Sequence, residues 1–375
     1  MKNIIKHFKG LCNISDDRIS IKGLGNGLIN DTFKVEITNN SSTQSFVLQK
    51  VNHHIFTNVE LMQNNIYIVT NHIRQKLIQR GEDNIKNKTL NIIPTLDNKL
   101  YYFNGKEYWR MTDFIEDSQS FDLINEKYAY LAGKAFGDFH SMLADLPNNS
   151  LKYTIENFHN IEYRIEQFKQ SINLDIAARV KEKNKYKVAN NTIDIKVEEL
   201  IIELLSRAEL MSKVEQMGRD GLLVKRITHC DTKVNNMLFD NKGKFLCIID
   251  LDTTMPGYVL SDFGDFIRTA ANTSAEDEID TSKIKLNTPI FKSFAKGYIE
   301  SAQFLTQIEK ENLVFGAKLL TYMQCVRFLT DYLNGDTYYK IKYPNHNWVR
   351  SIAQFTLLKE IESNETQMNN YINLL

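Results

Sequence analysis

The run His229-Cys230-Asp231-Thr232-Lys233-Val234-Asn235-Asn236, followed after a short gap by Ile248-Ile249-Asp250-Leu251-Asp252, gathers side chains suited to phosphoryl transfer. That chemistry asks little covalent work of a protein. It needs a carboxylate to orient the attacking hydroxyl, an amide and a second carboxylate on Mg²⁺, and a cation close to the transferred phosphate. Asp231 supplies the first carboxylate, Asn236 the amide, Asp250 the metal carboxylate and Lys233 the cation. The apolar segments Met237 to Phe239 and Phe245 to Ile249 predict a hairpin that would bring these polar groups to one end of a small sheet.

Each of these residues has a plainer reading, because Asp and Asn after a strand commonly make turns or cap helices. For one of them alone that reading wins; for the ordered set the site reading wins. His229 is expected to brace the loop by hydrogen bonding and not to carry protons. Asp252 can reach a metal, orient Asp250 or cap the turn, and all three readings stand.

The order resembles the protein-kinase catalytic loop, H-x-D-x-K-x-x-N followed by a metal-binding Asp on the next hairpin, with Asp250-Leu251-Asp252 in place of D-F-G. An I-D-x-D ending is similar to that of the aminoglycoside phosphotransferase and choline kinase superfamily. The strings HCDTKVNN, IIDLDTTMPG, LSDFGDFIR and RFLTDYLNGDTYYK look like those of the N-acetylhexosamine 1-kinases, and the matching strings run from about Gly23 to Gln354. The resemblance implies an α+β, two-lobed protein-kinase-like fold, with a small antiparallel-sheet nucleotide lobe over 1–115 and a larger, mainly helical catalytic and acceptor lobe over 116–375. It implies ATP and Mg²⁺ as cofactors, and an N-acetylhexosamine phosphorylated at its anomeric hydroxyl.

In the first lobe, Gly23-Leu24-Gly25-Asn26-Gly27 reads as a strand end and a turn that covers phosphates, which makes Gly25 and Gly27 nucleotide candidates. An ordinary hairpin turn is the competing reading. Asn30 fits the G-x-x-N pattern of the family and is a candidate contact for phosphate or acceptor. Phe46-Val47-Leu48-Gln49-Lys50 reads as a strand, with Lys50 in the place of the V-A-I-K lysine. Alternation puts Phe46, Leu48 and Lys50 on one face, expected to be the nucleotide face. Glu60 is the helix glutamate expected to pair with Lys50, or else a first-turn acid favoured by the helix dipole. Tyr108 to Glu116 reads as a strand running out into polar Asp117-Ser118-Gln119, and in a kinase-like fold it would be the hinge, with the backbone at Met111 and Asp113 reading the adenine edge.

Beyond it, the apolar spacing from Tyr128 to Leu143 predicts a helix, with Gly133 and Gly137 allowing close packing and His140 a packed or surface residue. Lys181 to Lys187 is expected to be a solvated helix end. Thr253 is the first candidate to touch the acceptor. The resemblance implies that Asp262 and Asp265 brace the catalytic loop, as the equivalent Asp does across the superfamily. Arg268 and Arg327, with Asp331 one turn past Arg327, would form an acceptor-side cluster or a salt bridge between helices.

Composition narrows the classes. The 375 residues suit two lobes around one cleft, and 46 basic against 46 acidic residues leave no global field to draw nucleic acid or an anionic membrane. No signal-peptide core and no apolar run of about 18 residues occurs, so a cytoplasmic protein is expected. Cys12, Cys230, Cys247 and Cys325 are too scattered for a zinc site or a disulfide framework. The partner expected is a small-molecule acceptor. The competing readings are a kinase for another alcohol (an aminoglycoside, choline, a homoserine-like amino acid or another sugar) and a nucleotide-binding pseudokinase. An aminoglycoside would need a dense acidic wall, and Glu276 to Asp280 is the only compact acidic group.

Overall fold

The computed structural model describes residues 1–25, 29–39, 42–147 and 149–375, so Gly27 lies outside the described residues. The first elements in chain order are α1 (Lys2–Ile5), β1 (Ile19–Gly23), β2 (Asp31–Asn39), β3 (Ser42–Val51) and α2 (Val59–Gln79). Then come β4 (Tyr102–Phe103), β5 (Tyr108–Asp113), β6 (Ser118–Gln119), α3 (Glu126–Leu143), α4 (Ile161–Leu174), β7 (Lys183–Val188) and β8 (Asn191–Lys196). Next are α5 (Val197–Arg219), β9 (Arg226–Thr228), β10 (Met237–Asp240), β11 (Phe245–Ile248), β12 (Met255–Gly257) and α6 (Val259–Ala270). The chain ends with α7 (Thr288–Ser301), α8 (Gln307–Glu311), α9 (Leu313–Leu333) and α10 (His346–Leu374). This is the expected α+β class, with a small antiparallel sheet and a larger helical part.

The chain forms two compact units, one of Met1–Phe121, Met142–Glu156 and Asn235–Pro256, the other of Asp122–Ser141, Asn157–Val234 and Gly257–Leu375. In the first unit a five-stranded antiparallel sheet runs in the order β1-β2-β3-β5-β4. Strand alternation makes its core. Ile19, Val35, Ile37, Phe46, Leu48, Trp109 and Met111 are buried together with Ile5, Phe8 and Leu11 of the N-terminal segment. The helix α2 starts where Asn58 accepts a hydrogen bond from the Leu61 amide at 3.0 Å. It buries Met62, Ile66, Val69, Ile73 and Leu77 at three- and four-residue steps. The predicted hairpin is β10 with β11, and β6 adds to β10.

In the second unit α9 is buried along almost its whole length, and α4, α6 and α10 pack on it. Two crossings depend on glycine. A Cβ on Gly264 of α6 would lie 2.1 Å from the Gly316 carbonyl oxygen of α9, and one on Gly133 of α3 would lie 2.1 Å from the Phe294 carbonyl oxygen of α7. The close packing expected at Gly133 is therefore present. The expected helix end at Lys181 to Lys187 is instead the strand β7, paired antiparallel with β8 from Lys183 opposite Lys196 to Val188 opposite Asn191. The physical reason is a period of two: Lys183, Lys185 and Lys187 are exposed, while Asn184 between them is buried and donates to the Tyr332 hydroxyl at 2.9 Å. Among the described residues no helix is long and apolar enough to cross a membrane.

Replacing Gly264 by Ala should cost about 1–3 kcal/mol of unfolding free energy, because overpacking a backbone-to-backbone contact outweighs the gain in helix propensity. Urea melts of the two proteins measure it, and equal midpoints would show that α6 and α9 separate freely.

Candidate active site

The candidate catalytic loop in the second unit, from His229 to Lys233, is shaped by two carboxylates on α6. Asp262 accepts from the His229 amide at 2.6 Å and the Cys230 amide at 2.8 Å, and Asp265 accepts from the Thr232 amide at 3.1 Å. Three residues apart on a helix, the two acids share a face. The bracing expected of them is what the structure shows. His140 secures the first brace, with Nε2 2.8 Å from Asp262 Oδ2 and Nδ1 3.0 Å from the Tyr298 hydroxyl. Burial alone would raise the Asp262 carboxyl, but the hydrogen bond and charge of His140, with His229, hold it below the usual range. It stays ionised, an acceptor for both amides.

Between the braced amides Cys230 takes a left-handed conformation, φ 63°. A side chain there costs on the order of 1 kcal/mol, which the flanking hydrogen bonds offset. His229 is fully buried, and its Nδ1 accepts from the Asp231 amide at 3.3 Å, in keeping with a bracing histidine. The Asp231 side chain is 25% exposed, and Lys233 Nζ lies 2.7 Å from its Oδ1. Burial pulls the Lys233 ammonium down, but the charge and hydrogen bond of Asp231 outweigh it, so its pKa is raised.

Arg268 belongs to the brace. It holds Asp265 at 2.8 Å and Glu276 at 2.6 Å, and not the expected cluster with Arg327. Among the described residues Asp331 pairs with neither Arg268 nor Arg327, so the expected salt bridge between helices does not form either. Asp331 accepts from the amides of Thr337, Tyr338 and Tyr339 at 2.9, 2.8 and 2.9 Å, which folds that segment back. The Arg327 guanidinium stands over the rings of Phe158, Tyr339 and Tyr338 at 5.2, 5.6 and 5.9 Å. Burial and the neighbouring Arg327 lower His159 to about 3 and Arg164 to about 10. Sequence reasoning missed His159 and Arg164, which sit in no motif; Tyr338 and Tyr339 were inside the RFLTDYLNGDTYYK string without a role.

In the first unit the hairpin positions the metal candidates. Met237 pairs with Ile248, and the Asn236 carbonyl accepts from the Ile249 amide at 2.9 Å, so Asn236 and Asp250 leave the same hairpin end. Asp250 is exposed although Cys247, Ile248 and Leu251 to Met255 are all buried, and it is left-handed with φ 60°. Among the described residues no group of three or more His, Cys, Asp or Glu could cage a metal. An amide oxygen and one carboxylate fit Mg²⁺, which commonly takes one or two carboxylates and completes its shell with water and phosphate oxygens. Thr253 is buried on the turn after Asp250.

The structure settles Asp252. One of its oxygens accepts from the Arg110 guanidinium and the other from Asn30 Nδ2 at 2.7 Å. Asn30 also accepts from the Asn52 amide at 2.9 Å, so both ends of the side chain expected to meet phosphate or acceptor are engaged inside the unit.

The remaining nucleotide-side expectations are redistributed. Gly25 is left-handed, φ 69°, as a glycine turn requires. The face of Phe46, Leu48 and Lys50 is the one covered by the N-terminal segment, and Lys50 pairs with Asp31 at 2.6 Å and Glu107 at 3.8 Å, while Glu60 lies exposed in the first turn of α2. Cross-strand register decides this, since Asp31 sits directly opposite Lys50. The backbone at Met111 and Asp113 is also engaged: the Met111 carbonyl accepts from the Ile93 amide at 2.9 Å, and the Asp113 amide donates to the Asn91 carbonyl at 3.0 Å. The Asp113 carboxylate accepts from Asn91 Nδ2 at 2.7 Å. The segment before β4 has taken the edge expected to read adenine.

Known proteins share the fold. The choline kinase of Cryptosporidium parvum Iowa II is similar in fold, with a TM-score of 0.60 at 14% identity over 99% of this chain and 97% of that one. An aminoglycoside phosphotransferase of Alicyclobacillus acidocaldarius subsp. acidocaldarius DSM 446 gives 0.61 at 12% identity over 96% and 95%. The AMP-bound complex of spectinomycin phosphotransferase gives 0.50 at 15% identity over 90% and 94%. The model of the phosphotransferase enzyme family, APH, matches residues 20–284, more than half of the sequence, and the chain belongs to that family.

Proposed function

We propose that this phosphotransferase is a cytoplasmic, ATP- and Mg²⁺-dependent kinase that phosphorylates the anomeric hydroxyl of an N-acetylhexosamine such as GlcNAc or GalNAc. The observation that carries a kinase reading is the braced loop, in which two buried carboxylates and a left-handed Cys230 present the partly exposed Asp231 with Lys233 against it. Asp231 orients the acceptor hydroxyl and takes its proton as the oxygen attacks the γ-phosphate. Lys233 offsets charge near that carboxylate, and Asn236 and Asp250 hold the cation. When bound, Mg²⁺ neutralises developing charge on the phosphates.

The acceptor class is supported by the strings that resemble the N-acetylhexosamine 1-kinases and by Arg327 among its rings. A ring-flanked guanidinium is pre-organised to donate several hydrogen bonds, as a polyhydroxylated acceptor with an acetamide requires. An acidic wall for a polycation has no support here: Glu276 pairs with Arg268, Asp277 with His346 and Lys342, and Glu278 with Lys283. A nucleotide as co-substrate is supported by the fold shared with an AMP-bound phosphotransferase.

ADP release should appear with Mg·ATP and an N-acetylhexosamine, and the product should carry acid-labile phosphate. Acid-stable phosphate on choline, homoserine, kanamycin or another sugar would overturn the acceptor, and nucleotide binding without any turnover would leave a pseudokinase. Asp231→Asn should lower kcat by about 10²- to 10⁴-fold with ATP affinity little changed, the usual worth of a positioned base. Normal turnover in that variant would remove Asp231 from the mechanism. Asp250→Ala should weaken metal dependence and turnover together, read from initial rates across a Mg²⁺ titration.

A further inference from the structure

Asp252 lies two residues past Asp250, on the turn Leu251–Thr253 that Asp250 begins. It is 2% exposed, and the groups that hold it, Arg110 and Asn30, are 5% and 8% exposed. A carboxylate so buried is costly unless its charge is paired and its lone pairs are satisfied. Here both conditions are met: a guanidinium takes one oxygen and an amide the other. The pair does not end there. Arg110 Nε donates to Gln49 Oε1 at 2.9 Å and Gln49 Nε2 to Thr32 Oγ1 at 3.0 Å, so β5, β3 and β2 are joined in one row that terminates on the Asp250 turn.

The alternation of β3 explains how this row arises. Gln49 faces opposite to Leu48 and Lys50, on the side away from the hydrophobic cluster, and Arg110 stands directly across from it in β5. The sheet thus offers the Asp250 turn one buried cation, and Asp252 consumes it. The other carboxylate of that turn belongs to Asp250, which is exposed and held in a left-handed conformation that Asp adopts only at a cost.

We propose that Arg110 and Asn30 are positioning residues: by clamping Asp252 they fix the turn that aims Asp250 at the cation, and they withhold the second carboxylate from it. This rests on the Mg²⁺ role given above to Asp250. It assigns Asn30 a place in the machinery different from contact with phosphate or acceptor, and it gives Arg110 a function that no motif marks.

The test is Mn²⁺ binding, followed by electron paramagnetic resonance in the presence of saturating ADP, beside Mg²⁺ titrations of the initial rate. Arg110→Met should weaken Mn²⁺ binding by about tenfold or more, the usual effect of removing a group that orients a metal ligand. It should raise the Mg²⁺ needed for half-maximal rate by the same factor and leave the acceptor KM within about twofold, whereas Arg110→Lys should recover most of the affinity. Asn30→Ala, which keeps the ion pair, should give a smaller weakening in the same direction and serves if Arg110→Met does not fold. A lower melting temperature with unchanged Mn²⁺ affinity in either variant would make the clamp merely structural and overturn the proposal. If the unaltered protein binds no Mn²⁺ with ADP, the metal reading of Asp250 fails instead, whatever the variants do.

Discussion

One buried carboxylate governs the catalytic loop. Asp262 accepts from the consecutive amides of His229 and Cys230, and this forces the backbone through a left-handed residue before Asp231. Such a conformation is uncommon for cysteine and persists only where the surroundings over-determine it. The surroundings here are α6, which carries both bracing acids one turn apart, and α3 and α7, which supply His140 and Tyr298 to hold Asp262 in place. Glycine contacts of α6 with α9 and of α3 with α7 keep these helices at close approach. Packing sets the loop, and the loop sets where Asp231 stands.

A second regularity is the fate of the acids. Asp252, Asp262 and Asp265 are buried, and each is matched: by Arg110 and Asn30, by His140 and two amides, and by Arg268 with the Thr232 amide. Asp231 and Asp250 are the members of the two motifs that retain exposure. Desolvation makes an unmatched buried carboxylate expensive, so the acids with solvent access are the ones able to change partners in a reaction. Burial thereby separates carboxylates committed to internal partners from those that keep solvent access, within motifs where every Asp looks alike.

Arg327 illustrates how a short-range rule yields to tertiary context. An Arg and an Asp four residues apart on one helix face suggest an ion pair worth a few tenths of a kcal/mol. Asp331 instead satisfies three backbone amides and Asn347, a stronger use of a buried carboxylate, and in doing so it brings Tyr338 and Tyr339 beside Arg327. The result is a guanidinium framed by rings, with its orientation set by neighbours and not by its nearest acid.

The sequence by itself determined the hairpin that bears Asn236 and Asp250, the strands of the small sheet and the helix with its close-packing Gly133, because periodicity and turn chemistry are local; the α+β class came with the resemblance of its motif strings. That resemblance also marked Asp262 and Asp265 as braces. Tertiary structure decided whatever turns on which face or edge is already occupied. Lys50 has the right residue type on the expected strand, yet the facing Asp31 and the N-terminal segment claim its side of the sheet. Met111 and Asp113 lie in the expected strand, yet Asn91 to Ile93 pairs along their edge. Asp252 admits three roles by its sequence position, and Arg110, distant along the chain, decides among them by holding it. Local pattern fixes what a segment can be; the competition of distant groups for the same face, edge or charge fixes what each side chain is left to do.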